Sequence, residues 1–289
     1  MHLKNLGLSL SLALASLIAS AALAAEPKLL WTATEGMDRP ESAYYDAEAK
    51  IVYVSNIKGD GAAKDGEGWI SKLSPKGEVL EAKWVTGLNA PKGMRVHGDT
   101  LWVSDIDELV AINRKSGKIE KKIPAEGAKF LNDVAVAKDG TVYVTDTRAS
   151  RVYQCDGEKM TLLAEGEAME NPNGCLVHEG KLHVGGFGSG GDKPVLGHLF
   201  ILDPKTKEKT LVTKETVAHI DGLESDGSGG FVISDWLLGK VSHIGKDGKV
   251  TMLLELGQGT ADIAYLPEQK LLILPRMLDN KVEAYELGL

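Results

Sequence analysis

Cysteine is nearly missing from this 289-residue chain, with two copies, and no run of basic residues interrupts its acidic balance of 33 Lys and Arg against 41 Asp and Glu. Two cysteines cannot make a disulfide scaffold, and without a Cys pair or a HExxH spacing there is no soft transition-metal motif. A chain of net charge −8 with no basic cluster repels phosphate backbones, so nucleic acid is not an expected partner. Helical periodicity is nearly absent as well. The one long apolar run is Leu6 to Ala22, behind Lys4 and ahead of the small residues ending in Ala24-Ala25. That layout of positive start, short apolar core and A-x-A-like end predicts a secretory signal peptide over 1–25. A membrane anchor is the alternative, disfavoured because the run is short and diluted with Ala and Ser. The expectation is a periplasmic or secreted protein with no membrane span once the signal is removed.

What fills the rest is short alternating strands of four to seven residues, separated by Gly, Asp, Asn and Lys turns. His219 to Ile244 shows the pattern in one copy: an apolar-flanked acid, Asp221, opens a strand, a Gly-rich turn follows, and a second strand ends in Ser234-Asp235. Six stretches superpose on it. Their first strands bring Glu41, Lys92, Asn132, Asn173, Asp221 and Asp262 to one repeat position, 40 to 51 residues apart. That period belongs to propeller blades, so residues 26–289 are expected to be all-β, one six-bladed β-propeller of four-stranded antiparallel blades. The last unit has three strands, and Lys28 to Ala33 stands alone at the start. It is expected to supply the missing outer strand and close the ring. Cys155 and Cys175 fall on strands of neighbouring units, where two buried thiols are expected rather than a disulfide.

In an antiparallel blade the start of strand one lies beside the end of strand two. The repeat position therefore shares a face with Ser55, Asn56, Asp105, Asp146, Phe187, Asp235, Trp236 and Arg276, and with insertions at 58–68 and 188–194 that could form a lid. Asp and Asn at strand starts are ordinary turn residues. Converging on one axis, however, clustered carboxylates repel each other without a cation. A hard divalent ion answers that repulsion, calcium first and zinc or manganese after it, because calcium accepts carboxylate, amide and water oxygens in flexible geometry. Asp262, Asp235 and Trp236 are additional candidates for the ring or pocket wall.

Four short motifs, PES at 40–42, LND at 131–133, PNG at 172–174 and DGL at 221–223, make the chain resemble the senescence marker protein (regucalcin) and gluconolactonase family of six-bladed propellers over essentially its whole mature length. The resemblance implies a divalent metal on Glu41, Asn173 and Asp221, substrate contact from Asn132, and Asp221 as general base. Where sugar-lactone members carry Arg two residues before the blade-three Asn, this chain has Phe130, so fold and metal triad transfer better than substrate. The implied activity is a metal-dependent hydrolysis of lactones or related esters on a small-molecule substrate. Lys92 and Arg276 would help to position it, Arg276 by pairing with an anionic group. The alternative is a non-catalytic propeller that binds a ligand or protein partner and uses metal only to hold the ring. A quinone-dependent sugar dehydrogenase would need a basic, aromatic pocket that these ring residues do not supply.

Other signals fail. Gly186, Gly188 and Gly191 satisfy GxGxxG, but no helix follows to meet a phosphate. Ser189 lacks the spacing of a nucleophile elbow. His219, two residues from Asp221, is read as a packed or turn histidine, with a proton shuttle as the alternative, and Trp69, Trp84, Trp102 and Trp236 as blade packing rather than a cofactor platform.

Overall fold

The computed structural model describes residues 26–289; the expected signal peptide lies outside the described residues. Six four-stranded antiparallel sheets form the fold. Blade one is Pro40–Asp46, Ile51–Asn56, Gly68–Leu73 and Val79–Leu88. Blade two is Pro91–His97, Thr100–Asp105, Glu108–Asn113 and Ile119–Pro124; blade three is Leu131–Val136, Val142–Asp146, Arg151–Cys155 and Met160–Glu165. Blade four is Pro172–His178, Lys181–Gly186, Leu199–Leu202 and Lys209–Leu211; blade five is Ile220–Ser225, Phe231–Asp235, Lys240–Ile244 and Val250–Glu255. Blade six is Ala264–Leu266, Leu271–Arg276, Lys281–Glu286 and the N-terminal strand Lys28–Ala33.

The closing strand sits where the sequence placed it. Lys28–Ala33 pairs antiparallel with Lys281–Glu286, Lys28 facing Glu286 and Ala33 facing Val282, so the two ends of the chain hydrogen-bond within one blade. Its inner residue Ala33 joins a core cluster with Ala264, Ile273, Val282 and Ala284 of blade six and Val52, Val54 and Leu73 of blade one. Among the described residues no helix is long and apolar enough to cross a membrane. Both cysteines are buried and free.

Alternating apolar residues make the blade faces, and the core lies between blades. Val134, Val142, Val144 and Tyr153 of blade three, for example, pack on Trp102, Leu109 and Ala111 of blade two. The first strands touch their neighbours around the central axis. The repeated Ser/Thr-Asp at the end of strand two explains how. Ser104 Oγ donates to the carbonyl of Asn132, Thr145 Oγ1 to that of Asn173 at 2.7 Å, and Ser234 Oγ to that of Ala261 at 2.8 Å, each reaching the next blade. The Asp beside it turns back to its own blade. Asp105 accepts from the amides of Asn89 and Ala90, Asp146 from those of Lys129 and Phe130, and Asp235 from those of His219 and Leu238. A buried hydroxyl thus ties blade to blade, and a buried carboxylate fixes each strand's entry.

Candidate functional site

The repeat residue occupies the second place of the innermost strand in five blades, as Glu41, Lys92, Asn132, Asn173 and Asp221. The third place is glycine in three of them, for a reason of space. A Cβ on Gly93 would press into Asp133, one on Gly174 into the carbonyl of Asp221, and one on Gly222 into the amide of Ile263. Close approach of the inner backbones is what brings the preceding side chains together.

All five line one cavity of about 720 Å³ at the end of the axis. Asp262 does not. It precedes its blade's first strand, exchanging backbone hydrogen bonds with blade one (its amide to Glu41 O, Ala43's amide to its carbonyl), and its Oδ2 accepts from Ser42 Oγ at 2.6 Å. Asp262 therefore belongs to the wall of the channel beneath the cavity. There Asp133 accepts from the amides of Cys175 and Val134, at 2.6 and 2.7 Å.

Further along, Arg95 of blade two reaches across the axis to Glu224 of blade five at 2.9 Å, with the Tyr44 ring against its guanidinium. Blades two and five are opposite in a ring of six, so this pair spans the channel. It lies three residues beyond Lys92, about 10 Å along the strand, and closes the axis below the cavity. Burial works against the Arg95 charge, but Glu224, Asp133 and Asp262 outweigh it and hold the guanidinium ionised.

Within the cavity the carboxylates are buried and under-satisfied. Asp221, 2% exposed, accepts from the Asn173 amide through Oδ1, while Oδ2 has no partner among the described residues. Glu41, 6% exposed, leaves Oε2 without a partner among the described residues. Burial pushes Asp221 up to about 8, the Asn173 hydrogen bond opposing it and the charges of Asp133 and Asp235 adding to it. Glu41 is pushed well above the carboxylate range by burial, then by Asp221, with Lys92 pulling the other way. Lys92 is fully buried, donates to the carbonyl of Ala90 at 2.9 Å, and is brought down to about 8 by burial against the attraction of Glu41 and Asp105. Two buried carboxylate oxygens without a donor, beside an amide whose own oxygen remains free of that contact, fit a hard cation. Glu41, Asp221 and Asn173 are the residues that could hold one. No cluster of three or more His, Cys, Asp or Glu that could hold a metal ion occurs among the described residues.

Asn132 Nδ2 donates to Thr147 Oγ1 at 3.1 Å, and Thr147 in turn donates to the carbonyl of Pro172. Trp236 lines the cavity, whereas Asp235 and Arg276 do not. Asp235 is spent on the His219 and Leu238 amides. The Arg276 guanidinium, expected at the substrate, instead donates to the carbonyl of Leu256 at 2.6 Å and pairs with Asp279 at 2.9 Å and Glu283 at 3.6 Å. Its neighbour Met277 lines the cavity in its place. In five of the six blades the residue just past strand two is the one that faces the cavity, as Ile57, Thr147, Phe187, Trp236 and Met277; in blade two Ile106 does not line it. Consecutive residues of an extended chain point to opposite sides, so an expectation placed one residue early lands on the clamp.

Sequence reasoning also missed Arg39 and Arg148 as cavity residues. Phe130, seen only as a departure from the family pattern, is a wall. Of the two insertions, the first lines the cavity through Gly59, Asp60 and Gly61, and is held by ion pairs from Lys58 to Glu67 and from Lys64 to Asp107. The second folds back on itself, Ser189 bridging Val195, and is tied down by the ring of His219, whose Nε2 lies 3.2 Å from the carbonyl of Ser189. His219 is fully buried and packs on Phe187, as a structural histidine would.

No protein-family model matches this sequence, and no curated protein does. Solved structures do match. A virginiamycin B lyase from Staphylococcus aureus, determined with quinupristin, is 13% identical with a TM-score of 0.61, over 91% of this chain and 100% of that one. A putative gluconolactonase is 18% identical with a TM-score of 0.67, over 91% and 92%. A gluconolactonase from Xanthomonas campestris is 16% identical with a TM-score of 0.62, over 91% and 95%. At such identities what is shared is the fold, a gluconolactonase-like six-bladed ring.

Proposed function

We propose that the protein is a divalent-metal-dependent hydrolase of lactones or related esters, acting in the periplasm or outside the cell. The observation that carries this reading is the pair of orphaned oxygens, Glu41 Oε2 of blade one and Asp221 Oδ2 of blade five, buried in one cavity with Asn173 of blade four beside Asp221. Glu41, Asn173 and Asp221 would hold the cation, calcium first. When bound, such an ion supplies Lewis-acid polarisation of an acyl carbonyl.

The chain's own residues supply the rest. Asp221 takes a proton from the attacking water as the new C–O bond forms and the acyl C–O bond breaks. Lys92, whose ammonium burial has made more acidic, stands over the cavity to return a proton to the leaving alkoxide. Asn132, fixed by Thr147, orients the substrate. Phe130, Phe187 and Trp236 give the walls an apolar surface that excludes water. The virginiamycin B lyase match was determined as a catalytically inactive His-to-Ala variant. Among the described residues lining this cavity there is no histidine, which favours the carboxylate chemistry of a hydrolase over an imidazole-dependent lyase step.

The test is a panel of lactones and aryl esters on chelated protein, with calcium, zinc or manganese returned one at a time. Hydrolysis restored by an ion and lost in Asp221→Ala and Glu41→Gln is the expected result. An ion that raises the melting temperature without turnover of any substrate would instead identify a non-catalytic binding propeller. A measured stoichiometry of zero bound ions would remove both readings.

A further inference from the structure

Six arginines occur in the chain, and four are paired with a carboxylate: Arg95 with Glu224, Arg114 with Asp46, Arg151 with Glu165 and Arg276 with Asp279, all at 2.9 to 3.0 Å. Arg39 and Arg148 have no carboxylate partner among the described residues, and both line the cavity. In a protein with 41 acidic residues, two guanidiniums without a counter-charge at one opening are a local arrangement, not a shortage of acids. We infer that the mouth of the cavity is a recognition site for an anionic group, so that the small molecule taken here carries a carboxylate or phosphate held by Arg39 and Arg148.

The surroundings keep both side chains available. Arg148 lies exposed on the loop after strand two of blade three, its guanidinium 4.1 Å from the centre of the Phe130 ring. Lys92 Nζ lies 4.2 Å from the same ring. The aromatic quadrupole steadies the two cations without neutralising them. Arg39 is half-buried, with its backbone held at φ 50° and its amide donating to Asn280 Oδ1 at 2.8 Å. Its Nε is buried and has no acceptor among the described residues. A guanidinium so placed presents a planar fork that a carboxylate or phosphate matches with two hydrogen bonds, and that a neutral hydroxyl cannot satisfy.

None of the cavity's own carboxylates, Glu41, Asp221 or Asp60, is within ion-pairing distance of Arg39 or Arg148, and Asp60 Oδ1 accepts from the amide of Ala62 within its own turn at 2.9 Å. The expectation that an arginine meets an anionic substrate group is thereby moved from Arg276 to this pair. The inference deepens the reading above and rests on the same cavity binding the small molecule; it does not require turnover.

Calorimetric titrations of chelated protein with sorbitol, gluconate and sorbitol 6-phosphate test it, because none of these probes can be hydrolysed as a lactone. At low ionic strength at least one anion should bind about tenfold more tightly than sorbitol, and the better of the two distinguishes carboxylate from phosphate. Arg148→Gln and Arg39→Gln should each reduce that preference by up to about tenfold, and added salt should shrink it. Arg148→Lys, which keeps the charge and loses the fork, should retain part of it. Absence of binding by both anions, equal binding of all three probes, or a preference that survives in folded Arg39→Gln and Arg148→Gln proteins would overturn the inference. The two readings fail separately. Anion binding without hydrolysis of any lactone ends the enzymatic one alone, whereas equal kcat/KM for neutral and anionic lactones ends this one alone.

Discussion

Replacing Asp221 by Asn removes a buried charge while keeping the shape of the side chain and a hydrogen-bonding partner for Asn173. Burial holds the Asp221 proton until about pH 8, whereas the unfolded chain releases it near the ordinary value of 3.8. Between those two values the native state binds more protons than the unfolded state, so rising pH lowers stability through this window and then levels off above about 8. The gap corresponds to on the order of 5 kcal/mol at pH 8 and to nothing below about pH 4. Asp221→Asn should therefore be more stable than wild type in chelator at pH 8, by ~10 °C in melting temperature, and the two should converge near pH 4. Added calcium should close about half of that gap. At a concentration about 100 times its Kd an ion stabilises the protein that binds it by about 2.7 kcal/mol, and the variant lacks one of the proposed ligands. Thermal unfolding of both proteins from pH 4 to 9, with and without chelator, measures all of this. A variant less stable than wild type at pH 8 in chelator, or a difference independent of pH, would refute the assignment of Asp221 as a carboxylate kept unpaired for a cation.

Three further outcomes follow from the packing. Arg95→Ala strands Glu224 across the channel and should cost about 3–5 kcal/mol in urea unfolding, while the double variant Arg95→Met/Glu224→Leu should recover most of it. Thr145→Val removes the hydroxyl that accepts from the amide of Asp133 and donates to the carbonyl of Asn173, both buried, and should cost about 1–3 kcal/mol by the same measurement. Deleting residues 26–33 removes the strand paired with Lys281–Glu286 and bares the edge of blade six. Calorimetry should then show a broadened transition at lower temperature, and a single sharp transition at the wild-type temperature would show that the ring does not depend on that strand.

Much of the architecture is local enough to read along the chain. Five blades repeat a polar residue second in their first strand, and blades two, three and five end their second strand in a Ser/Thr-Asp pair, because each of these residue types has a hydrogen-bonding task set within one blade or to the next. Asp105, Asp146 and Asp235 all clamp the entry of their own first strand, so their spacing is the period of the ring. Glu41, Lys92, Asn132, Asn173 and Asp221 could be aligned for the same reason, each standing second in an innermost strand. The misplacement of Arg276 and Asp235 came from one residue of register at the strand end, where the chain leaves the ladder and the next side chain, Met277 or Trp236, turns to the cavity. Arg39 and Arg148 sit in connections outside the repeat, so no superposition of strands could select them.

The sequence by itself determined the number of blades, the strand that closes the ring and the residues that converge on the axis, because hydrogen-bonding capacity and side-chain alternation are properties of short stretches. The tertiary structure alone decided which carboxylate oxygens are left without a partner, which arginines lack a counter-charge, and that Arg95 meets Glu224 across the channel, 129 residues away in the chain. Those are outcomes of ring closure, which sets distances between blades that no local pattern encodes.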